Sequence, residues 1–229
     1  MGYLSASAAV AADLILDFDP EVYGIVLTSL KVSVSATVAA SLIGVPLALS
    51  IALNNFWGKA FIRLLLNTLM ALPTVVVGLF VYALIGRAGV LGELGLLFTP
   101  AGIILGETLL ALPIITNLTL VAVETLDPRF FKTCRLLGGS TARTARAALF
   151  EARLGILAAL VAGFGRVVAE VGVAMILGGN IKGFTRTMTT AIALETSKGE
   201  FALGLALGAL LLLVALGVNG ALFAIRRRA

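Results

Sequence analysis

The chain has no histidine, one cysteine (Cys134), one tryptophan and only 13% charged residues. Without histidine, imidazole metal sites and His-dependent catalytic triads are excluded. A lone cysteine cannot close an intrachain disulfide. No Gly-x-x-x-x-Gly-Lys-Ser/Thr phosphate loop occurs, so any ATP hydrolysis belongs to another polypeptide. The shortage of charge excludes most. With 60% hydrophobic residues and a mean hydropathy of +1.10, 229 residues cannot clothe a soluble domain in polar surface. The N-terminus also lacks the basic opening of a cleaved signal, and Asp13, Asp17, Asp19 and Glu21 precede the first strong apolar run.

What is present is apolar sequence in runs long enough to cross a bilayer, which takes roughly 20 residues per helix. Five spans are predicted, at about 22–53, 64–85, 101–123, 154–177 and 201–225. Lys31 lies where it can snorkel. Residues 3–18 fit an amphipathic surface helix or a loosely ordered end. The expected fold class is an all-α polytopic membrane bundle, one domain over residues 1–229. Placing Lys59, Arg63, the 126–153 loop and Arg226 to Arg228 on one side gathers 11 of the 17 basic residues there. Only Arg87, Lys182, Arg186 and Lys198 fall opposite. This bias predicts an outer N-terminus and a cytoplasmic C-terminus, and it accounts for the basic excess without nucleic acid.

The polar mass is concentrated in one place. Residues 126–153 carry Arg129, Lys132, Arg135, Arg143, Arg146 and Arg153 against Asp127 and Glu151. Asp127-Pro128 reads as a helix start, with Phe130, Phe131, Cys134 and Leu137 on one apolar face. Gly138-Gly139-Ser140 ends that helix, and a second carries Arg143 and Arg146 beside Leu149 and Phe150. Two short helices on a glycine turn fit a cytoplasmic docking element with a phenylalanine anchor and an arginine rim. They also fit a solvated loop whose arginines only set topology.

Charged residues inside spans are costly and usually face a cavity or one another. Arg166 and Glu170 are four apart, hence on one helical face, and suit either a structural pair or a gate. Glu107 is a candidate interhelical partner for Arg166. The segment 178–190 is rich in glycine and hydroxyls, with Asn180, Lys182, Thr185, Arg186, Thr187, Thr189 and Thr190. Such donors suit a tetrahedral dianion, and the same residues suit an ordinary exterior loop. Pro46, Pro73 and Pro113 interrupt backbone bonding within spans, as gate bends or as packing features. Glycines 165, 172, 204, 208 and 217 are expected to let helices approach closely.

Several segments together resemble a known family. Gly138 falls at the glycine of the E-A-A, three residues, Gly, nine residues, I-x-L-P loop of ABC importer permeases. Lys132-Thr133-Cys134 and Ala148-Leu149-Phe150-Glu151 replace its two ends. Thr28 to Ser33, Ala71-Leu72-Pro73-Thr74 through Leu79, Ala111-Leu112-Pro113, and Ala169-Glu170-Val171-Gly172 are also similar to that family. Within it, residues 178–190 and Glu195 to Glu200 resemble the tungstate-type permease of the molybdate/tungstate/sulfate branch. The resemblance spans about residues 22–225. It implies a non-catalytic homodimeric permease of the cell inner membrane, with no cofactor of its own. Two ABC ATPase subunits would hold ATP and Mg, and an extracytoplasmic binding protein would deliver the oxyanion. ATPase coupling would fall to Asp127, Arg129, Phe130, Phe131, Arg135, Gly138, Arg143 and Leu149. The path or gate would draw on Pro73, Thr74, Pro113, Glu170, Asn180, Thr185, Arg186, Thr187 and Thr189. The rival classes are an ATP-independent anion channel or carrier, which would show repeats or a coupling-ion site, and a membrane enzyme, which would need more convergent polar groups.

Overall fold

A computed structural model describes residues 3–228, without the side chains of residues 3, 4, 135 and 228. The predicted coupling role of the Arg135 side chain therefore lies outside the described residues. All regular elements among them are helical: α1 (Tyr3–Leu16), α2 (Pro20–Leu53), α3 (Lys59–Met70), α4 (Thr74–Ile85), α5 (Pro100–Glu124), α6 (Pro128–Leu136), α7 (Thr141–Glu151), α8 (Arg153–Val168), α9 (Gly172–Gly178), α10 (Met188–Lys198) and α11 (Phe201–Arg228), with one 3-10 turn at Gly92–Leu94.

Three helices start by one device, a capping side chain followed by proline. Asp19 accepts from the N–H groups of Glu21 and Val22 at 2.9 and 3.0 Å. Thr99 accepts from Gly102 N–H at 3.3 Å, and Asp127 from Arg129 N–H at 2.8 Å. Proline fits the next position because an N–H there would lack an intrahelical partner.

The axis of the bundle is α5. It packs against α2, α3, α4, α8 and α9, and 67% of its apolar stretch is buried, against 11% for α11. That difference puts α11 at the periphery of the bundle. α2, α5 and α11 are each long and apolar enough to cross a membrane, and counting each bent helix pair as one span gives up to five. α1 lies against α11 with Ser7 and Ala11 buried, and the Tyr23 hydroxyl ties its end by donating to Ile15 carbonyl at 3.0 Å.

Two predicted spans are not single rods. The second is broken between α3 and α4 by a 98° bend, with Pro73 as the residue before α4. The fourth stops at Val168 and resumes as α9, although no proline lies there. α8 alone, at 16 residues, rises about 24 Å, short of the roughly 30 Å hydrocarbon core. Pro46 and Pro113 sit inside continuous helices. The end of the 178–190 segment enters a further helix, α10, that lies outside the five expected spans.

Of the glycines expected to pack closely, Gly172 does, its Cβ position 3.0 Å from Thr74 Oγ1, and three do not. A Cβ on Gly165, Gly208 or Gly217 would meet nothing within 4 Å, because these face outward. Other tight approaches are at Gly44 against Thr116 Oγ1 (2.8 Å), Gly163 against Ile115 (2.7 Å) and Gly106 against Leu177 and Val173. All three lie on or against α5, where backbones must come together.

Candidate coupling and translocation site

The hairpin formed by α6 and α7 projects beyond the C-terminal end of α5. Gly138 takes φ +69°, which lets Gly139 N–H bond back to Cys134 carbonyl at 2.9 Å and close α6. Ser140 then caps α7 through Arg143 N–H at 3.4 Å. Phe130 and Phe131 meet edge to face, with centroids 5.2 Å apart, and pack against the cluster of Leu49, Val123, Ala148, Ala152 and Ile156. They hold the hairpin onto its own bundle. Both side chains are half-buried there. The apolar side chains turned outward are Leu136 (88% exposed), Leu137 (81%), Phe150 (66%) and Leu149 (43%). Asp127, Arg129, Arg143 and Arg146 are exposed around them. The Arg153 guanidinium lies 4.3 Å over the Phe150 ring and donates to Phe150 carbonyl, which fixes that ring's position.

At the hairpin's root, Glu124 pairs with Lys59 at 3.1 Å and with Arg63. Lys59 also donates to Ala52 carbonyl at 3.1 Å, so one ammonium joins the ends of α2 and α5 to the start of α3. Sequence reasoning counted Lys59 and Arg63 only as topology charges.

The two helix breaks meet inside the bundle. α4 begins at Thr74, α9 begins at Gly172, and the two helices pack, Gly172 facing Thr74 and Gly78 facing Ile176. Glu170 organises this junction. One carboxylate oxygen accepts from Gly172 N–H at 2.8 Å and Val173 N–H at 3.3 Å, capping α9, and the other accepts from Arg166 at 3.3 Å. The predicted i,i+4 pair is thus formed, and it also explains why the span breaks without proline. Glu107 is not the partner of Arg166. It is buried on α5 and keeps Oε2 unpartnered among the described residues.

The hydroxyl-rich segment is spent on the fold. Thr185 donates to Gly178 carbonyl at 2.5 Å and accepts from Ile181 N–H. Thr187 and Thr190 cap α10 reciprocally, and Thr189 donates to Glu170 carbonyl at 2.6 Å. Asn180 donates to Thr190 carbonyl at 3.3 Å. All four threonines are buried. Arg186 lies between Glu21 (3.8 Å) and Glu195 (3.6 Å), Lys182 pairs with Glu21 at 2.7 Å, and Lys198 pairs with Glu195 at 3.0 Å. Thr185, Thr187 and Thr189, expected along a path, thus also hold backbone and cap positions in the fold.

Residues 44–229 match the family described as "Binding-protein-dependent transport system inner membrane component". The chain belongs to that family. Among its relatives, a "Probable anion ABC transporter permease protein" of Haloferax volcanii is 42% identical over 196 residues, 83% of this chain and 84% of that one. The "Tungstate uptake system permease protein TupB" of Campylobacter jejuni is 47% identical over 161 residues (70% and 67% of the two chains), and its namesake in Peptoclostridium acidaminophilum is 33% identical over 226 residues, 99% of both. A solved structure titled "Crystal structure of an amino acid ABC transporter with histidines" superimposes with a TM-score of 0.69 over 100% of this chain and 99% of that one; at 17% identity it speaks for the fold alone. The chain is thus a permease subunit of the tungstate/molybdate type of ABC importer, an inner-membrane component with an all-helical fold.

Proposed function

We propose that this chain is the permease of an ATP-driven tungstate importer, working as a homodimer with two cytoplasmic ATPase subunits that hold ATP and Mg. An extracytoplasmic binding protein delivers the anion, the N-terminus lies outside and the C-terminus lies in the cytoplasm. The reading is carried by similarity to tungstate permeases at 33–47% identity. The 126–153 hairpin is the coupling element. Its outward Leu137, Leu149 and Phe150, with the exposed Arg129 and Arg143, offer apolar and basic contacts to a partner. α7 joins α8 through Ala152 alone, at a 71° elbow buried against Ile156. A push on α7 therefore turns α8, whose far end carries Arg166 and leads into Glu170. Those residues hold the start of α9 against Thr74, so in this reading the gate is where Pro73, Thr74 and Glu170 meet, with Pro113 in the adjoining α5.

Uptake by vesicles containing this chain, its ATPase and its binding protein tests the reading, with tungstate, molybdate and sulfate competing. Tungstate uptake that survives excess sulfate and molybdate is expected. Uptake that needs no ATPase contradicts the mechanism. A molybdate permease is the second reading, supported by the Escherichia coli "Molybdenum transport system permease protein ModB" at 30% identity over 192 residues. Charging the hairpin's outward apolar side chains, with Leu137→Asp and Phe150→Asp together, is expected to lower ATP-dependent uptake at least tenfold, roughly 1.4 kcal/mol of coupling. Membrane insertion should be unchanged. Normal uptake by the double variant removes the hairpin from the mechanism.

A further inference from the structure

The loop between α4 and α5 lies at the opposite end of α5 from the hairpin, roughly 37 Å away for a helix of 25 residues. On it opens a cleft of about 800 Å³, whose lining includes Tyr82, Gly86, Arg87, Gly89, Gly92 and Phe98. Arg87 is exposed and is the one basic side chain of this outer group with no carboxylate within 4 Å among the described residues. Lys182, Arg186 and Lys198 instead pair with Glu21 and Glu195, while Arg186 Nε itself keeps no partner among the described residues. The N–H groups of Arg87 and Ala88 likewise donate to no carbonyl among the described residues, whereas those of Gly86, Gly89 and Gly92 close the turns.

The cleft is held rigid. A Cβ on Gly89 would strike the carbonyls of Leu84 and Ala83, and one on Gly92 would lie 2.5 Å from Gly86 carbonyl, so the chain is wound tightly onto the end of α4. Phe98 N–H bonds to Leu177 carbonyl at 2.8 Å, and its ring covers Gly179. The loop is therefore anchored to α9, the helix that Glu170 caps.

We propose that this cleft is the reception point for the transported tetrahedral oxyanion, with Arg87 and the adjoining backbone N–H groups as its donors. This rests on the oxyanion-import reading above. A single exposed guanidinium with unpaired N–H groups attracts a dianion and holds it loosely enough to pass on, as transport requires. Because the loop is fixed to α9, occupancy at the mouth and the state of the α4–α9 junction are mechanically joined.

The test uses the assembled transporter in proteoliposomes. Arg87→Gln is expected to lower oxyanion uptake at least fivefold, and Arg87→Lys to retain at least half. Ala88→Glu, which leaves Arg87 in place but gives it a neighbouring carboxylate, should lower uptake comparably. Docking of the loaded binding protein and the ATP hydrolysis it stimulates should stay at wild-type levels in all three. Normal uptake by Arg87→Gln overturns this inference alone. A parallel loss of docking also overturns it, by making the cleft a socket for the binding protein. Absence of oxyanion uptake by the wild type overturns the import reading and this inference with it.

Discussion

Alanine at position 170 is expected to reduce uptake at least tenfold. The Glu170 carboxylate is the acceptor for Gly172 N–H, Val173 N–H and the Arg166 guanidinium, and it is 4% exposed. Removing it leaves two backbone donors without partners in the bundle interior, at about 1–3 kcal/mol each. The chain relieves that cost by shifting the start of α9, and α9 is packed on Thr74 and Gly78 of α4. Glutamine separates the two jobs of this side chain. Its carbonyl oxygen still caps α9, while the ion pair is lost, and Arg166 is 42% exposed so the pair itself contributes little. Glu170→Gln should therefore keep much of the uptake that Glu170→Ala loses. The measurement is initial uptake rate normalised to permease content. Equal loss in both variants means that the charge is needed at the gate, and equal retention means that the junction is not the gate.

The second large effect is on stability. Gly163→Leu places a side chain where Ile115 already stands 2.7 Å from the Cβ position, on α5, the helix gripped from every side. Overpacking of this kind costs about 1–3 kcal/mol. At roughly 2–4 °C per kcal/mol for a chain of this size, a clear drop in melting temperature follows. Gly217→Leu adds the same atoms on the outward face of α11, where a Cβ meets nothing within 4 Å, and should leave the midpoint unchanged. Thermal unfolding of the two purified variants in one detergent decides it. If both melt alike, the packing assignment around α5 is wrong.

Much of the architecture could be read from apolar runs and helix punctuation. The long runs locate α2, α5 and α11, Asp127-Pro128 and Gly138 mark α6, and Pro73 marks the broken second span. The spacing of Arg166 and Glu170 correctly placed an ion pair. It did not reveal that the same carboxylate ends one helix and starts another, because capping depends on where the chain turns. The hydroxyls of 185–190 illustrate the opposite difficulty. A threonine that binds an anion and one that caps a helix look the same in sequence, and only the fold shows that Thr187 and Thr190 cap each other's turn. For the glycines, composition indicated close packing somewhere in the bundle. Periodicity alone could not tell that Gly163 faces α5 while Gly165, two residues on, faces away. The clamp of Lys59, Arg63 and Glu124 joins residues 61 or more apart, which no local pattern encodes.

The most direct test of the account is the neighbour and sidedness of the hairpin. A single cysteine at position 150, in a Cys134→Ser background, should react with an impermeant thiol reagent only from the cytoplasmic face. In the assembled transporter it should cross-link to the ATPase subunit. Labelling from the outside, or an assembled transporter with no adduct at Phe150→Cys, would contradict an ATPase pushing on this hairpin.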